Sequence, residues 1–528
     1  MKFRQLSATT GSDTWVQDVE CSGGWVVRAG RRALVVSAND RWPSVAGRLA
    51  TVDVDASETH HGGADNRDEP GGTNADVGTI ANGRLHGVRQ KGRTFQQAHP
   101  EIPVLLDAGR YLVVDVSGAE AQRINARRSP SRGAPPTPCF ELFALRESTT
   151  LMAFAEAPRP DGATPSAARS EALSALVASA SAERYAALLS HLVGYPTRLS
   201  TSSTFSEAAA WAQGQLAAAG LEADQQAITL PGGGATSNVI AHQAGRSGGS
   251  GEWLVVAHLD SVNHAGGANA PAPGADDNAS GAAGLLLMAE VLAGHRFDDD
   301  VRYVLFGGEE QGLHGSRQYV AGLSAAERAR IKGVLNMDMI GSVNAIPQAV
   351  LLEGAALSQS LIDALGVAAG RFTALQVQVS LNPFASDHVP FIDAGIPAVL
   401  TIEGADSAND AVHTGDDVLA TIDIDYAMQI LAMNLGFVAE AAGLEEVAPA
   451  PGVTCICRGD EAHHQGQPLT RLTAHCQALF AQYRRLQRDG RLDPGLLAQW
   501  QQSERALEAL GRDAMRRQTV PASEVLHV

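Results

Sequence analysis

Residues 252–260 read EWLVVAHLD, an apolar run that ends in a histidine and an aspartate. A run of this length and composition is typical of a strand that is buried on both faces, as in a parallel sheet. His258 and Asp260 come at its end, where the carboxyl ends of strands in open α/β sheets collect functional groups. The stretch therefore predicts an α/β fold with a polar site at one edge of its sheet.

Four further segments of the same region carry ligand-type side chains at predicted strand ends or in loops. They read GADDNASG, LFGGEEQG, LNMDMIG and AVHTGDD, and they supply Asp277, Glu309, Glu310, Asp338 and His413. Such groups are costly to bury unless something pairs with them. A shared metal centre would satisfy all of them together. Histidine and carboxylate ligands without thiolate suit zinc or a similar divalent ion at an open catalytic site.

Short apolar strands alternate with amphipathic helices from about Ala168 onward, and a long helix closes this region near Gly443. The alternation predicts an α/β domain at 168–444 with a mostly parallel mixed sheet sandwiched by helices. Residues 1–157 carry β-branched apolar clusters separated by turn residues, so we expect an N-terminal strand-rich accessory domain there. Residues 454–528 predict a C-terminal helical extension, a small helical hairpin. Polar linkers separate both flanks from the α/β domain.

The chain has 528 residues, with 40 Lys plus Arg and 58 Asp plus Glu, which gives a formal net charge of −18. This acidic balance argues against nucleic acid or an anionic membrane as a partner. Five cysteines are few for a disulfide-stapled secreted domain. The N-terminal sequence MKFRQLSATTGSDTW has no apolar segment of the secretory type. We therefore expect a cytoplasmic protein, with an unusual export route left open.

The ordered motifs H-x-D, A-D-D-x-A-S-G, G-E-E-x-G-x-x-G-S, x-D-M, S-D-H and H-T-x-x-D resemble those of a known family. That family is the co-catalytic di-zinc exopeptidases of the bacterial leucyl aminopeptidase type. The resemblance covers about residues 168–443. It implies the zinc exopeptidase fold, two zinc ions per chain and the removal of N-terminal amino acids from peptides with a free N-terminus. A water that bridges the two ions would be the nucleophile.

The resemblance also implies which residues would hold the two ions. Asp277, the second acid of GADDN, would bridge them. His258 and Asp338 would complete one zinc site, and Glu310 and His413 would complete the other. An aspartate suits the shared position, because two ions about 3.5–4 Å apart need one short bidentate ligand between them.

Three further residues would assist these ligands if the resemblance holds. Glu309 would be the general base, since neighbouring residues at a strand end point in opposite directions and a Glu–Glu pair can supply one ligand and one base. Asp260 would be catalytic by orienting the imidazole of His258. Ser386, in FASDH, would do the same for His413.

The substrate pocket departs from the family pattern. Some relatives carry a cysteine pair just before S-D-H, and this chain reads SLNPFASDH there. Aromatic residues that precede H-T in some relatives are also missing. Met339 and Phe384 are candidate pocket residues, with core packing as the alternative interpretation. Glu403 is a candidate partner for a charged amino group, and otherwise a solvated acid at a strand end.

Other functions on the same fold stay open from the sequence. One is an acyltransferase of the glutaminyl cyclase type, which typically works with one zinc ion. Another is a dipeptide- or carboxypeptidase-type hydrolase, although no arginine lies in the motifs to hold a substrate carboxylate. A catalytically inactive relative would have lost a ligand, and none is lost. The flanking regions would cap the site or mediate self-association, or else serve folding or targeting alone.

Overall fold

The computed structural model describes residues 2–7, 19–20, 24–29, 32–37, 50–51, 77–79, 84–127, 140–145, 147–154, 167–246, 251–264, 266–267 and 270–445. The strands are β1 (Lys2–Ser7), β2 (Gly24–Ala29), β3 (Arg32–Ser37), β4 (Ala50–Thr51), β5 (Val77–Thr79), β6 (Leu85–Gln90), β7 (Val104–Ala108), β8 (Tyr111–Asp115), β9 (Phe140–Ala144), β10 (Thr149–Phe154), β11 (Glu222–Thr229), β12 (Ala235–Gln243), β13 (Glu252–His258), β14 (Asp300–Phe306), β15 (Ile331–Met337), β16 (Ala349–Glu353), β17 (Gln376–Ser380) and β18 (Ala398–Glu403). Helices lie at Thr94–Ala98, Gly118–Arg127, Ala167–Ala178, Ala182–Val193, Ser203–Ala218, Gly281–Ala293, His314–Gly322, Ala325–Arg330, Gln359–Phe372, His388–Asp393 and Ile424–Ala441.

Thirteen of the described strands form one large sheet in the order β11-β12-β14-β13-β15-β18-β16-β17-β10-β2-β3-β1-β4, and β5 joins this sheet by pairing with β1. Its centre is parallel, because β14, β13, β15 and β18 all run in one direction. Strand β12 pairs antiparallel with β14, and β16 pairs antiparallel with β18. The predicted mostly parallel mixed sheet is therefore confirmed.

Alternation along β13 shows how the sheet is covered by helices on both faces. Val255 and Ala257 point into a large core with the helices Ala182–Val193, Ser203–Ala218 and Gly281–Ala293. Leu254 and Val256 point to the opposite face, into a smaller core formed with helices His314–Gly322 and His388–Asp393. Successive side chains of a strand point to opposite faces, so an unbroken apolar run has to be covered by apolar side chains on both faces. The predicted sandwich of helices follows.

The N-terminal strand-rich region joins the α/β region rather than standing apart from it. Strand β10 pairs antiparallel with β17 and parallel with β2, which extends the large sheet into the first part of the chain. A second, four-stranded sheet has the order β7-β8-β6-β9. A shared apolar cluster contains Leu34, Tyr111 and Leu151 from the first part together with Leu351 and Leu400 from the second. Both regions therefore contribute side chains to this cluster.

The chain divides into two compact units, Met1–Val447 and Ala448–Val528. The first unit contains both the predicted strand-rich region and the predicted α/β domain. The predicted C-terminal helical extension at 454–528 lies outside the described residues. None of the helices in the described ranges has the length and apolar character needed to cross a membrane.

Candidate metal centre

Three neighbouring parallel strands end at one edge of the large sheet and carry most of the ligand-type side chains. His258 is the last residue of β13, and Asp338 directly follows β15. Glu309 and Glu310 lie in the turn after β14. The parallel register pairs His258 with the last residue of β14, so these groups start at the same level of the sheet. The folding of three apolar strands in parallel is thus what brings the acids to the histidine.

Asp277 lies between two imidazoles. It comes from a wide helical turn, Ala275–Ser280, that precedes the helix Gly281–Ala293. Its Oδ1 is 3.1 Å from His258 Nε2, and its Oδ2 is 3.0 Å from His413 Nε2. Asp338 Oδ1 is 3.3 Å from His258 Nε2, and Glu310 Oε2 is 3.1 Å from His413 Nε2. Two groups result, each with one histidine and one further carboxylate, and they share Asp277.

The charge of this cluster fits divalent cations. The carboxylates of Asp277, Glu309, Glu310 and Asp338 are all buried, with at most 8% of any residue exposed. Glu310 Oε1 is buried and accepts no hydrogen bond from any described residue. Among the described lysines and arginines, Lys91 alone is in ion-pair contact with this set. Buried negative charge needs compensation, and two divalent ions would supply it through the ligand types that zinc prefers.

A second group of ligand-type residues has a different explanation. His242, Glu252 and Asp300 also lie close enough together to hold an ion. However, Arg302 donates to Glu252 at 2.7 Å, and Arg330 donates to Asp300 at 2.5 Å. Arginine partners already compensate these carboxylates, so the group is an ion-pair cluster.

Comparison with known proteins agrees with this geometry. The model of peptidase family M28 matches residues 238–438. We call these matched residues, 238–438, the M28 region. Leupeptin-inactivating enzyme 1 of Streptomyces exfoliatus is 35% identical to the chain over 206 residues, which are 38% of this chain and 44% of that protein. Leucine aminopeptidase 1 of Arthroderma otae is 26% identical over 304 residues, which are 54% of this chain and 80% of that protein.

Among solved structures, a zinc aminopeptidase from Bacillus subtilis is 18% identical, with a TM-score of 0.46, over 51% of this chain and 97% of that one. The match to the Streptomyces protein spans less than half of that protein's length. The resemblance predicted from the ordered motifs is confirmed over residues 238–438, where the matching family model is that of a peptidase family.

In the M28 region, the carboxylate of Asp260 holds the turn that carries the two glutamates. Its Oδ1 accepts from the backbone N–H of Glu309 at 3.3 Å, and its Oδ2 accepts from that of Glu310 at 3.2 Å. Its backbone oxygen lies 3.1 Å from His258 Nδ1, and Oδ1 lies 3.6 Å from the same nitrogen. Asp260 therefore contacts the imidazole predicted for it and also fixes the Glu–Glu turn, which the sequence did not indicate.

Ser386 lies at a different ligand from the one predicted. Its hydroxyl donates to Asp338 Oδ2 at 2.7 Å, and it accepts from Asn336 Nδ2 at 2.8 Å. These hydrogen bonds support the carboxylate on the His258 side of the centre, whereas the sequence predicted a contact with His413. The reason is topological, because the loop before the helix His388–Asp393 packs against the end of β15.

Glu309 is the acid of the pair that lies close to His258, with Oε2 4.0 Å from Nε2. Burial, with the charges of Glu310 and Asp338, raises the pKa of Glu309 well above its usual range against the opposing charges of Lys91 and His258. Glu310 faces His413 instead. The two neighbouring acids thus point to the two different histidines.

Two of the three candidate pocket residues are buried and contact other parts of the protein. Met339 is fully buried in the apolar cluster shared with the N-terminal strands. Glu403 is fully buried, and its two oxygens accept from the backbone N–H of Ser342 and from Asn344 Nδ2, both at 2.6 Å. Burial and the adjacent Asp276 raise the pKa of Glu403 well above its usual range. The interpretation of Glu403 as a solvated acid does not apply.

Phe384, the third candidate, lies under a cation from the N-terminal region. The guanidinium carbon of Arg89 is 5.6 Å from the centre of the Phe384 ring. Arg89 Nη1 also donates to the carbonyl of Pro383 at 3.1 Å. The loop in which some relatives carry a cysteine pair is therefore held here by an arginine from the first part of the chain.

Three residues at the site were missed from the sequence. Asp417 accepts from the backbone N–H groups of Asp276 and Asp277 at 2.8 and 3.0 Å, and it is the last residue of the H-T-x-x-D motif, so a signal existed. Arg198 is fully buried and donates to the carbonyls of Leu259 and Gly274 at 2.8 and 2.9 Å. Lys91 comes from the N-terminal region. Neither cation has a sequence pattern that could have indicated it.

Proposed function

We propose that the M28 region removes N-terminal amino acids from peptides by metal-assisted hydrolysis at this centre. The observation that carries the proposal is the position of Asp277 between the imidazoles of His258 and His413, with Glu309 beside them. A bidentate carboxylate with a histidine on each side is the arrangement that a pair of ions requires. His258, Asp277 and Asp338 would hold one zinc ion, and Asp277, Glu310 and His413 would hold the other.

When bound, two zinc ions would lower the pKa of a water and polarise the scissile carbonyl. Glu309 would take the proton from that water at its carboxylate and later give it to the leaving amine. Asp260 fixes the backbone of Glu309, so the base is held in position before the substrate arrives.

The enclosed position of the centre supports cleavage at a chain end. Glu309 and His413 are 4% and 8% exposed, and the surrounding loops come from both the M28 region and the first part of the chain. A chain terminus enters such a site more easily than the middle of a folded chain. Peptides with a free N-terminus are therefore the proposed substrates. The cytoplasmic location and a role of the flanks in self-association stay predictions from the sequence.

The test is removal and return of metal. Stripping zinc with a chelator should abolish hydrolysis of a panel of aminoacyl chromogenic amides, and added zinc should restore it. Elemental analysis should find close to two ions per chain. Full activity in a metal-free preparation would contradict the proposal. One ion per chain, together with cyclisation of N-terminal glutamine, would favour the glutaminyl cyclase alternative.

A pair of variants locates the ions. Asp277→Asn should lower the zinc content of both positions, because this side chain faces both histidines. Asp224→Asn is the matched control, since it changes an exposed aspartate on β11 of the same unit. The control should keep the zinc content and activity of the natural chain.

A further inference from the structure

Lys91 brings a positive charge from the N-terminal region into the metal centre. It directly follows β6, and its side chain is 5% exposed. Its Nζ lies 3.3 Å from Oδ1 and 3.1 Å from Oδ2 of Asp277. The same nitrogen lies 3.7 Å from Glu309 Oε1 and 3.8 Å from Asp338 Oδ2. The ammonium therefore contacts the carboxylate that the two histidines share.

The turn that carries Lys91 is held in place by its own hydrogen bonds. Gln90 Oε1 accepts from the backbone N–H of Phe95 at 3.1 Å, and Gln90 Nε2 donates to the carbonyl of Gly109 at 2.9 Å. Thr94 Oγ1 donates to the carbonyl of Lys91 at 3.0 Å. A lysine on an exposed, mobile turn would swing into solvent, whereas this one starts from a backbone fixed on both sides.

The charge of Lys91 is not needed to attach the N-terminal region. Arg110 already makes that attachment through Glu353 and Asp406, and the shared apolar cluster adds to it. The methylene groups of Lys91 can be buried without its charge. The burial of the ammonium group among carboxylates therefore needs a separate explanation.

We propose that Lys91 is a resident cation of the metal centre that competes with divalent ions for Asp277 and thereby sets the metal affinity of the centre. The inference rests on the proposed function, because it takes the Asp277 cluster to be the metal site. Both oxygens of Asp277 that Lys91 contacts are the ones that face His258 and His413. A cation within about 4 Å of another is repelled strongly where water is excluded. An ion at either position therefore binds against the charge of Lys91.

The experiment measures zinc dissociation constants of the full chain by competition with a chromophoric chelator. Lys91→Met removes the charge and keeps all but one atom of the length of the side chain. Lys91→Gln also removes the charge but ends in a polar amide. Both should bind zinc about tenfold or more tightly than the natural chain. Lys91→Arg keeps the charge and should stay close to the natural chain. Arg93→Met, at an exposed position two residues further along the same turn, is the matched control and should leave zinc affinity unchanged.

The outcomes separate this inference from the proposed function. Tighter binding in both neutral variants, with unchanged binding in Lys91→Arg and Arg93→Met, supports the inference. Equal or weaker zinc binding in Lys91→Met and Lys91→Gln overturns it and leaves the metal centre standing. Absence of zinc binding in every variant and in the natural chain overturns both. A gain in Arg93→Met as large as in Lys91→Met would assign the effect to the net charge of the turn and overturn the specific role of Lys91.

Discussion

Two clusters of buried charge lie in the same unit, and they are compensated in opposite ways. At the junction between the N-terminal region and the M28 region, Arg110 donates to both oxygens of Glu353 at 2.7 and 3.2 Å, to Asp406 at 3.2 Å and to the carbonyl of Phe384 at 2.6 Å. At the metal centre, three buried carboxylates, those of Asp277, Glu309 and Asp338, lie 3.1, 3.7 and 3.8 Å from the single ammonium of Lys91, and Glu310 is a fourth buried acid of the same cluster.

The difference shows what identifies a metal site in this fold. Burial of carboxylates is common to both clusters, so burial alone does not distinguish them. At the junction, a planar guanidinium with several donors pairs with two carboxylates and leaves little charge uncompensated. At the metal centre, the negative charge of the buried carboxylates exceeds the positive charge that the described lysines and arginines in contact with them supply. The excess, rather than the presence of acids, is what indicates a bound ion.

The largest expected effect separates chemistry from ion binding within the centre. Glu309→Gln should lower kcat by about 10²–10⁴, because it removes a positioned acid–base group. Its zinc content and its free energy of unfolding should stay near those of the natural chain. Steady-state kinetics and elemental analysis of the purified variant measure both.

Glu310→Gln is the matched control for that result, since it changes the neighbouring acid that faces His413. It should lower the occupancy of one ion. If Glu309→Gln loses zinc while Glu310→Gln keeps it, the two roles are reversed: Glu309 is then the ligand and Glu310 the base.

The next effect concerns the junction. Arg110→Met should lower the free energy of unfolding of the Met1–Val447 unit by about 3–5 kcal/mol, because it leaves Glu353 and Asp406 buried without their cation. Zinc binding per folded molecule should be retained. Urea unfolding followed by tryptophan fluorescence measures the change.

The double variant Arg110→Met with Glu353→Gln tests the cause. It should recover part of the lost stability, since one of the two uncompensated charges is gone. If the double variant is less stable than Arg110→Met alone, pairing of charge is not what holds the junction.

The smallest effect is the contribution of Glu353, at the junction, to the pH dependence of the free energy of unfolding. Burial by itself would raise the pKa of Glu353, but the charges of Arg110 and His388 outweigh it and hold that pKa at about 2. A group with a pKa depressed on folding stabilises the folded state above its unfolded pKa, and this contribution is lost as pH falls from about 4.5 towards 2. It amounts to about 3 kcal/mol at most.

The measurement compares the natural chain with Glu353→Gln in urea unfolding at a series of pH values. The natural chain should lose stability more steeply than the variant below about pH 4.5. Parallel curves for the two proteins would show that Glu353 titrates as an ordinary carboxyl group.

The sequence was sufficient for the parts of the site that depend on local pattern. His258, Glu309, Glu310 and Asp338 each lie at or just after an apolar run, and a parallel sheet necessarily gathers the ends of such runs. The helices on both faces of the sheet could be predicted from the same apolar runs. A strand whose side chains are apolar on both faces has to pack against apolar elements on both sides.

The rest depended on contacts that no local pattern encodes. Lys91 contacts Asp277 across 186 residues of sequence, and Arg110 contacts Glu353 across 243. Neither lies in a motif. Residues 1–157 were expected to be strand-rich, but helices also occur there at Thr94–Ala98 and Gly118–Arg127. The first is only five residues long, which is too short for a helical period to be visible.

The pairing of β10 with β17 has a consequence for how the chain is made. The hydroxyl of Ser380 donates to the carbonyl of Leu151, 229 residues earlier in the chain. At the usual rate of synthesis of about 5–20 residues per second, β10 waits on the order of 10–45 s before its partner strand leaves the ribosome. During that time its open edge is a template for pairing with other chains. Conditions that slow elongation lengthen this interval, so we expect them to increase the loss of nascent chains to aggregates.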